Sequence, residues 1–176
     1  MSGRAVTSIT IDGIAWPVDG AAVAIIRGGR VLIQLRPFPP GWELPGGHCE
    51  QDEDPALTAV REAEEETGLH VRIRGVAGVY TWAGLRSSGD VVFIAEVVGG
   101  RARPSIEAPF HRFVTTEELP RTAFPWIRRR VDDALRVADG AAPVHRVQPV
   151  TLYHVAAFAT AWMRAPLDRW RGARRR

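Results

Sequence analysis

Residues 47–69, GHCEQDEDPALTAVREAEEETGL, contain the clearest structural signal of the chain. Asp54 is placed to cap the start of a helix, Pro55 suits its first position, and Gly68 suits the C-terminal cap. With about 100° of rotation per residue, the apolar residues cluster on one side of this helix. They are Ala56, Leu57, Ala59, Val60 and Ala63. The segment therefore predicts an amphipathic helix that packs through this side.

A second side of the predicted helix is acidic. Glu62, Glu65 and Glu66 are spaced i, i+3 and i+4, so their carboxylates gather within one turn and repel one another. A divalent cation such as Mg²⁺, which prefers oxygen ligands and usually bridges to substrate phosphates, would stabilise this arrangement. The pattern predicts a metal site, with an acidic face in contact with solvent as the alternative.

The same segment resembles the Nudix box, G-x5-E-x7-R-E-U-x-E-E-x-G-U, in which U is an aliphatic residue. Both spacers have the right length, and the preceding Leu44-Pro45-Gly46 is similar to the usual lead-in to the box. Every fixed position is occupied, by Gly47, Glu53, Arg61, Glu62, Ala63, Glu65, Glu66, Gly68 and Leu69. The resemblance extends over about residues 18–138.

This resemblance implies an α/β fold, the Nudix α/β/α sandwich with a mixed β-sheet. It also implies hydrolysis of a nucleoside diphosphate linked to another group. By the same resemblance, Glu62, Glu65 and Glu66 would ligate Mg²⁺ or Mn²⁺, and Gly47 would let the backbone approach the ion. Arg61 would orient Glu53 or a neighbouring glutamate. The bound cation would lower the pKa of a water molecule, which would attack phosphorus and displace a diphosphate or a monophosphate.

A general base is needed to activate the water. Family members use either a box glutamate or a glutamate from a later loop or strand. Glu107 lies in a predicted loop and is the preferred candidate. Glu96, inside a predicted strand, is the competing one.

The substrate is indicated only broadly. Arg36 ends a predicted strand before the box, and its guanidinium fork suits phosphate. Phe38 and Trp82 offer aromatic faces for a base. The proline that ADP-ribose hydrolases of the family carry beyond the box is absent, since Gly84-Leu85 occupy that region. The broad MutT-like group remains, which acts on nucleoside triphosphates or nucleotide derivatives.

The rest of the chain predicts a mixture of strands and helices in one domain. Predicted strands cover 8–11 and 14–17 as a hairpin, then 21–26, 31–35, 71–79, 91–98 and 113–114. A helix-start signal lies at Thr116, and an amphipathic helix is predicted over 125–138. We expect a Nudix domain over residues 1–139 and a C-terminal helical extension over 140–176. The extension comprises a linker (141–150), a helix (151–164) and an arginine-rich tail (169–176).

Length and composition favour a globular protein. The chain has 176 residues, of which 45% are hydrophobic and 24% charged. A single cysteine excludes an intramolecular disulfide, no apolar stretch is long enough to span a membrane, and no secretory signal is evident. We therefore expect a cytoplasmic protein that does not contact membranes.

The charge is uneven along the chain. All 23 basic residues are arginines, and the net charge is −4 over residues 1–125 but +7 over 126–176. An enzyme acting on RNA 5′ ends is therefore one alternative, with the tail (Arg169, Arg171, Arg174, Arg175 and Arg176) following phosphates and Trp170 stacking on a base. A nucleotide sensor without hydrolysis is the other. The apolar residues Leu152, Val155, Phe158 and Trp162 predict packing on the domain or on a second subunit of a homodimer.

Overall fold

The computed structural model describes residues 7–11, 13–83 and 89–149. Its strands are β1 (Thr7–Ile11), β2 (Ile14–Arg27), β3 (Arg30–Pro37), β4 (Pro40–Glu43), β5 (Gly46–His48), β6 (Leu69–Trp82), β7 (Gly89–Gly100), β8 (Phe110–Val114) and β9 (Val144–Gln148), and its helices are α1 (Pro55–Thr67) and α2 (Ile127–Ala138). The predicted helix over 151–164 and the arginine-rich tail lie outside the described residues. None of the described helices has the length and apolar character needed to cross a bilayer.

The strands form a mixed sheet in the order β4-β3-β2-β7-β6-β9, with β1 and β5 also paired to β2, and β8 paired to β3. The β2–β7 and β6–β9 pairs are parallel, whereas β1 and β2 form the predicted antiparallel hairpin. Residues 20–22 of β2 pair with β5 on one side and with β7 on the other. The glycine-rich segment Gly46–His48 is therefore fixed against the centre of the sheet.

Each face of the sheet has its own hydrophobic core, because side chains alternate between the faces along every strand. The core beneath α1 contains Val23, Ile25, Leu32, Val91, Phe93 and, from the helix, Ala59 and Ala63. The core beneath α2 contains Ala22, Ala24, Ile33, Val92, Ile94 and, from the helix, Ile127, Val131 and Ala134. The sheet thus lies between two helices, which confirms the predicted α/β/α sandwich.

The predicted ends of α1 are confirmed. The Asp54 carboxylate accepts a hydrogen bond from the Ala56 N–H at 2.7 Å, and Pro55 begins the helix. Gly68 has φ 72°, in the left-handed region, and its N–H donates to the Glu64 carbonyl at 2.8 Å. A side chain at Gly68 would also meet the Arg101 carbonyl oxygen at 2.7 Å, so both conformation and space favour glycine.

The predicted apolar side of α1 is wrong for Leu57, whose surface is 64% exposed. The rest of the prediction is confirmed: Ala59 and Ala63 are fully buried, and Ala56 and Val60 pack against the same core. Thr58 and Glu66 are buried with them.

Other elements also differ from prediction. The stretches 14–17 and 21–26 belong to one continuous strand, and the Pro-rich loop contains β4. No helix begins at Thr116: the Thr115 N–H donates to the Glu118 carboxylate at 3.0 Å, which stabilises a turn, and the second helix starts at Ile127. The predicted linker contains β9, which pairs in parallel with the end of β6 and so extends the sheet.

A buried ion pair joins β9 to α2. The Asp133 carboxylate is 1% exposed and accepts two hydrogen bonds from Arg146, at 2.5 and 2.6 Å, and one from the Tyr80 hydroxyl at 3.1 Å.

We expect Arg146→Ala to lower the free energy of unfolding by about 2–3 kcal/mol, because it leaves a buried carboxylate with one neutral donor. Urea unfolding measures the loss. Arg136→Ala, at an exposed position of α2, is the control and should change stability by less than about 0.5 kcal/mol; equal losses in both variants would contradict the assignment.

Candidate active site

The candidate site is formed where β5 leads into α1. In β5, Gly47 pairs with Ala21 of β2, and the carboxylate of Glu62 in α1 lies beside it. A Cβ atom at Gly47 would lie 2.3 Å from the Glu62 Oε1, whereas one at Gly46 would lie 2.5 Å from the Ala21 carbonyl oxygen. The two glycines therefore allow the backbone of β5 to pass between the sheet and the carboxylates of α1.

Glu66 is the most deeply placed of the three predicted metal ligands. Its side chain is buried, with the whole residue 5% exposed, and Oε2 accepts a hydrogen bond from the Gly46 N–H at 2.8 Å. The pKa of the Glu66 carboxyl is raised to about 8, mainly by burial and less by the nearby carboxylates of Glu43 and Glu62, against the effect of that hydrogen bond. A buried carboxylate among other carboxylates is a position where a cation is electrostatically favoured.

Arg61 connects the other box glutamates. Its Nε and Nη2 donate to the two oxygens of Glu53 at 2.9 and 3.0 Å, a bidentate pair. Its Nη1 donates to Glu62 at 2.8 Å and lies 3.4 Å from Glu65. The structure thus places Arg61 and Glu53 together as predicted. Glu62 is half-buried beside them, and Glu65 is mostly exposed.

We expect Glu53→Gln to lower the free energy of unfolding by about 1–2 kcal/mol near neutral pH, because a bidentate ion pair on Arg61 is lost. The hydrogen bond from Arg61 lowers the pKa of Glu53 from 4.5 to about 2. A lowered pKa means that the contribution is complete above the ordinary pKa and is lost as the pH falls towards 2. Urea unfolding at several pH values should therefore show a wild-type advantage that shrinks on acidification; an advantage that grows would contradict this explanation.

The two candidates for the general base lie in different places. Glu107, exposed in the loop between β7 and β8, is close enough to Glu62 for its charge to raise the pKa of that carboxyl. Glu96 accepts hydrogen bonds from Arg72 at 2.9 and 2.6 Å on an exposed part of the sheet, and Arg72 lowers the pKa of its carboxyl. The structure therefore brings Glu107, but not Glu96, towards the acidic helix.

The three predicted substrate-binding residues, Arg36, Phe38 and Trp82, have different surroundings. The Nε of Arg36, which is half-exposed, lies 3.2 Å from Oε1 of Glu43. Burial raises the pKa of the Glu43 carboxyl to about 7, against the effect of Arg36. Phe38 is partly exposed, whereas Trp82 is buried and packs edge-on against Trp126 with 5.5 Å between ring centroids. Trp82 is thus a core residue at the end of β6.

Three residues near Glu66 are absent from the predicted site. Glu43, Gln34 and His111 are paired across neighbouring strands, with Gln34 of β3 opposite both of the others. The His111 Nε2 donates to the Glu66 main-chain carbonyl at 3.1 Å, and burial lowers the pKa of its imidazole. The sequence carries one sign of this part of the site: Gln34 is an isolated polar residue inside the apolar run 31–35.

The donor set on α1 fits a hard divalent cation, because it offers several carboxylate oxygens and Gly47 leaves the space in front of Glu62 unfilled. As the side chains stand, no three His, Cys, Asp or Glu residues of the described ranges converge closely enough to hold an ion. Arg61 Nη1 binds Glu62 and lies near Glu65. A cation on these carboxylates would compete with Nη1 for them, whereas the pair between Arg61 and Glu53 uses the other two nitrogens.

Comparison with known proteins agrees with this geometry. The sequence model of the NUDIX domain matches residues 16–135. A MutT-like protein of Streptomyces ambofaciens is 36% identical over 126 residues, covering 72% of this chain and 79% of that protein. An ADP-ribose pyrophosphatase of Methanocaldococcus jannaschii is 32% identical over 123 residues, covering 66% of this chain and 67% of that protein. A CMP-5'-(N-acetyl-N-hydroxy-3-aminopropyl)phosphonate hydrolase of Streptomyces rubellomurinus is 47% identical over 91 residues, covering 46% of this chain and 44% of that protein.

Solved structures show the same fold. The crystal structure of an ADP-ribose pyrophosphatase from Streptococcus suis superposes with a TM-score of 0.63 at 21% identity, covering 73% of this chain and 97% of that one. A NUDIX hydrolase from Nitrosomonas europaea superposes with a TM-score of 0.63 at 21% identity, covering 84% of this chain and 95% of that one. Because the family match extends from β2 to α2 rather than over the box alone, this chain belongs to the Nudix family and is a Nudix pyrophosphohydrolase.

Proposed function

We propose that the chain hydrolyses the diphosphate linkage of a nucleoside triphosphate or another nucleotide derivative, with Mg²⁺ or Mn²⁺ held on α1. The observation that carries this proposal is the position of Glu66. Its buried carboxylate is crowded by Glu43 and Glu62, and it accepts a hydrogen bond from the Gly46 N–H. Such a carboxylate is stabilised by a cation and, through it, by the phosphates of a substrate.

The proposed ligands are Glu62, Glu65 and Glu66, beside the backbone of Gly47. When bound, the cation neutralises phosphate charge and lowers the pKa of a water molecule. Arg61 keeps Glu53 fixed at the start of α1, and the bond from the Gly46 N–H holds one oxygen of Glu66. The carboxylates are thus oriented by groups that do not themselves bind the phosphates.

The remaining roles concern the proton and the substrate. Glu107 is the proposed general base: it is exposed, lies in a loop, and acts electrostatically on Glu62, so it can take a proton from water next to the acidic helix. Arg36 is proposed to bind phosphate through its guanidinium fork, which requires it to leave Glu43. Phe38 is partly exposed and is better placed to stack on a base than the buried Trp82.

A substrate panel tests this proposal. It contains nucleoside triphosphates, oxidised nucleotides, ADP-ribose, nucleotide sugars, a CMP-linked phosphonate, dinucleotides and 5′-triphosphorylated RNA, each with Mg²⁺, with Mn²⁺ or with a chelator. We expect metal-dependent release of phosphate, diphosphate or a nucleoside monophosphate from one class of small nucleotides. The names of the relatives from Methanocaldococcus jannaschii and Streptomyces rubellomurinus are the reason that ADP-ribose and the CMP-linked phosphonate are included.

Two results would contradict the proposal. Turnover confined to 5′-triphosphorylated RNA, with a steep dependence on salt that disappears when residues 168–176 are deleted, would favour the RNA enzyme. No turnover across the panel, together with a nucleotide that raises the melting temperature, would favour a sensor.

A further inference from the structure

One buried polar side chain has no assigned role in this site. Gln34 lies in the middle of β3 and is fully buried, at 0% exposure. Neither the nitrogen nor the oxygen of its amide makes a hydrogen bond of good geometry within the described residues. Buried amides are nearly always paired, because an unpaired one loses its hydration without replacement. An unpaired amide at the centre of a strand therefore indicates a role that the fold alone does not require.

Alternation along β3 directs this side chain towards α1. Leu32 belongs to the core beneath α1 and Ile33 to the core beneath α2, so Gln34 faces α1 with Leu32. The position of the amide is fixed, because the backbone of β3 pairs with β4 on one side and with β8 on the other. On β8 the residue opposite Gln34 is His111, whose imidazole bonds to the Glu66 carbonyl at 3.1 Å.

The group that the Gln34 amide meets on α1 is the Glu66 carboxylate. Its interaction with Gln34 favours the charged form and lowers the pKa of Glu66, opposing the effect of burial. A carboxylate has about four acceptor sites on its two oxygens, and the Gly46 N–H occupies one of them. A single donor leaves the plane of the carboxylate free to rotate, whereas a second donor on the core side fixes it.

We propose that Gln34 is a positioning residue for the metal site: its amide N–H donates to the Glu66 carboxylate from the core side and so orients the remaining lone pairs towards the cation. This inference rests on the proposed function, since it requires that α1 holds a metal. Outer groups that orient metal ligands typically contribute about 10–100-fold to metal affinity or activity.

The test is a titration with Mn²⁺ alone, followed by the loss of the electron paramagnetic resonance signal of the free ion. We expect Gln34→Met to raise the Kd for Mn²⁺ by about 10-fold or more. Methionine is similarly long and unbranched but lacks the donor. Its melting temperature should not fall, because methionine fills the same buried space without the cost of burying an amide, and Glu66 keeps its hydrogen bond from the Gly46 N–H. The lost hydrolytic activity should return when the concentration of Mg²⁺ is raised by the same factor.

Gln148→Met is the matched control. Gln148 is also a buried amide with an unpaired nitrogen, but it lies on β9, at the other side of the sheet from β3. Its substitution should leave the Kd for Mn²⁺ within about twofold of the wild-type value.

Three outcomes would overturn the inference. The first is a Kd of Gln34→Met within about twofold of the wild-type value. The second is a rise in Kd accompanied by a lower melting temperature, because general loss of structure would then explain it. The third is a similar rise in Gln148→Met. These are distinct from a wild-type protein that binds no Mn²⁺, which would overturn the proposed function and this inference with it.

Discussion

Replacing Glu66 by glutamine is expected to lower kcat by about 1,000-fold or more. The cation that this carboxylate is proposed to hold contributes several kcal/mol to the transition state, and each 1.36 kcal/mol corresponds to about a tenfold change in rate. The glutamine oxygen can still accept the hydrogen bond from the Gly46 N–H. The melting temperature should not fall, because glutamine has the shape of the buried carboxyl and cannot take up a charge beside Glu43 and Glu62.

Glu64→Gln is the control for this experiment. Glu64 belongs to the same helix but is exposed, and it faces His70 at 3.4 Å rather than the site. Steady-state kinetics of the two variants on the preferred substrate make the comparison. If kcat falls by less than about tenfold in Glu66→Gln, or falls equally in Glu64→Gln, the Glu66 carboxylate has no catalytic role.

The second large effect is expected at Gly47. A methyl group there would lie 2.3 Å from the Glu62 Oε1, the far end of a flexible side chain, so the carboxylate can move aside without disturbing the sheet. Displacing a catalytic group by about 1 Å can cost about 100-fold in rate. We therefore expect Gly47→Ala to lose about 100-fold in kcat/KM while its melting temperature changes little.

The neighbouring glycine provides a contrast. A Cβ at Gly46 would meet backbone, the Ala21 carbonyl oxygen at 2.5 Å and the Ala22 Cα at 2.6 Å, and backbone in a central strand cannot move aside. We therefore expect Gly46→Ala to lower the melting temperature, in contrast to Gly47→Ala. Thermal unfolding and kinetics of both variants separate the two effects. A Gly47→Ala variant with full activity would mean that the position of Glu62 is unimportant for the reaction.

The part of the site that local sequence determines could be predicted. The ends of α1 depend on Asp54, Pro55 and Gly68, each of which acts within one helical turn. The spacing of Glu62 and Glu66 places both on the side of the helix that meets β5, and the pair of Arg61 with Glu53 joins residues only eight positions apart.

The remaining features depend on contacts between distant parts of the chain. Gln34 and Glu43 adjoin Glu66 only because β3, β4 and β8 pair beside α1. The sequence of β9 is typical of a linker, because its pairing partner is more than sixty residues away in β6 and its short alternating run carries little signal alone. The burial of Trp82 follows from the placement of Trp126.

The most direct test of the central claim is a metal titration of turnover. The rate on the preferred nucleotide is measured in the wild type and in Glu66→Gln as Mg²⁺ is added to chelator-treated protein. We predict no turnover without metal, saturable activation in the wild type, and loss of that activation in the variant. Turnover that proceeds in chelator, or activation that is unchanged in Glu66→Gln, would contradict the assignment of a metal-dependent pyrophosphohydrolase site to α1.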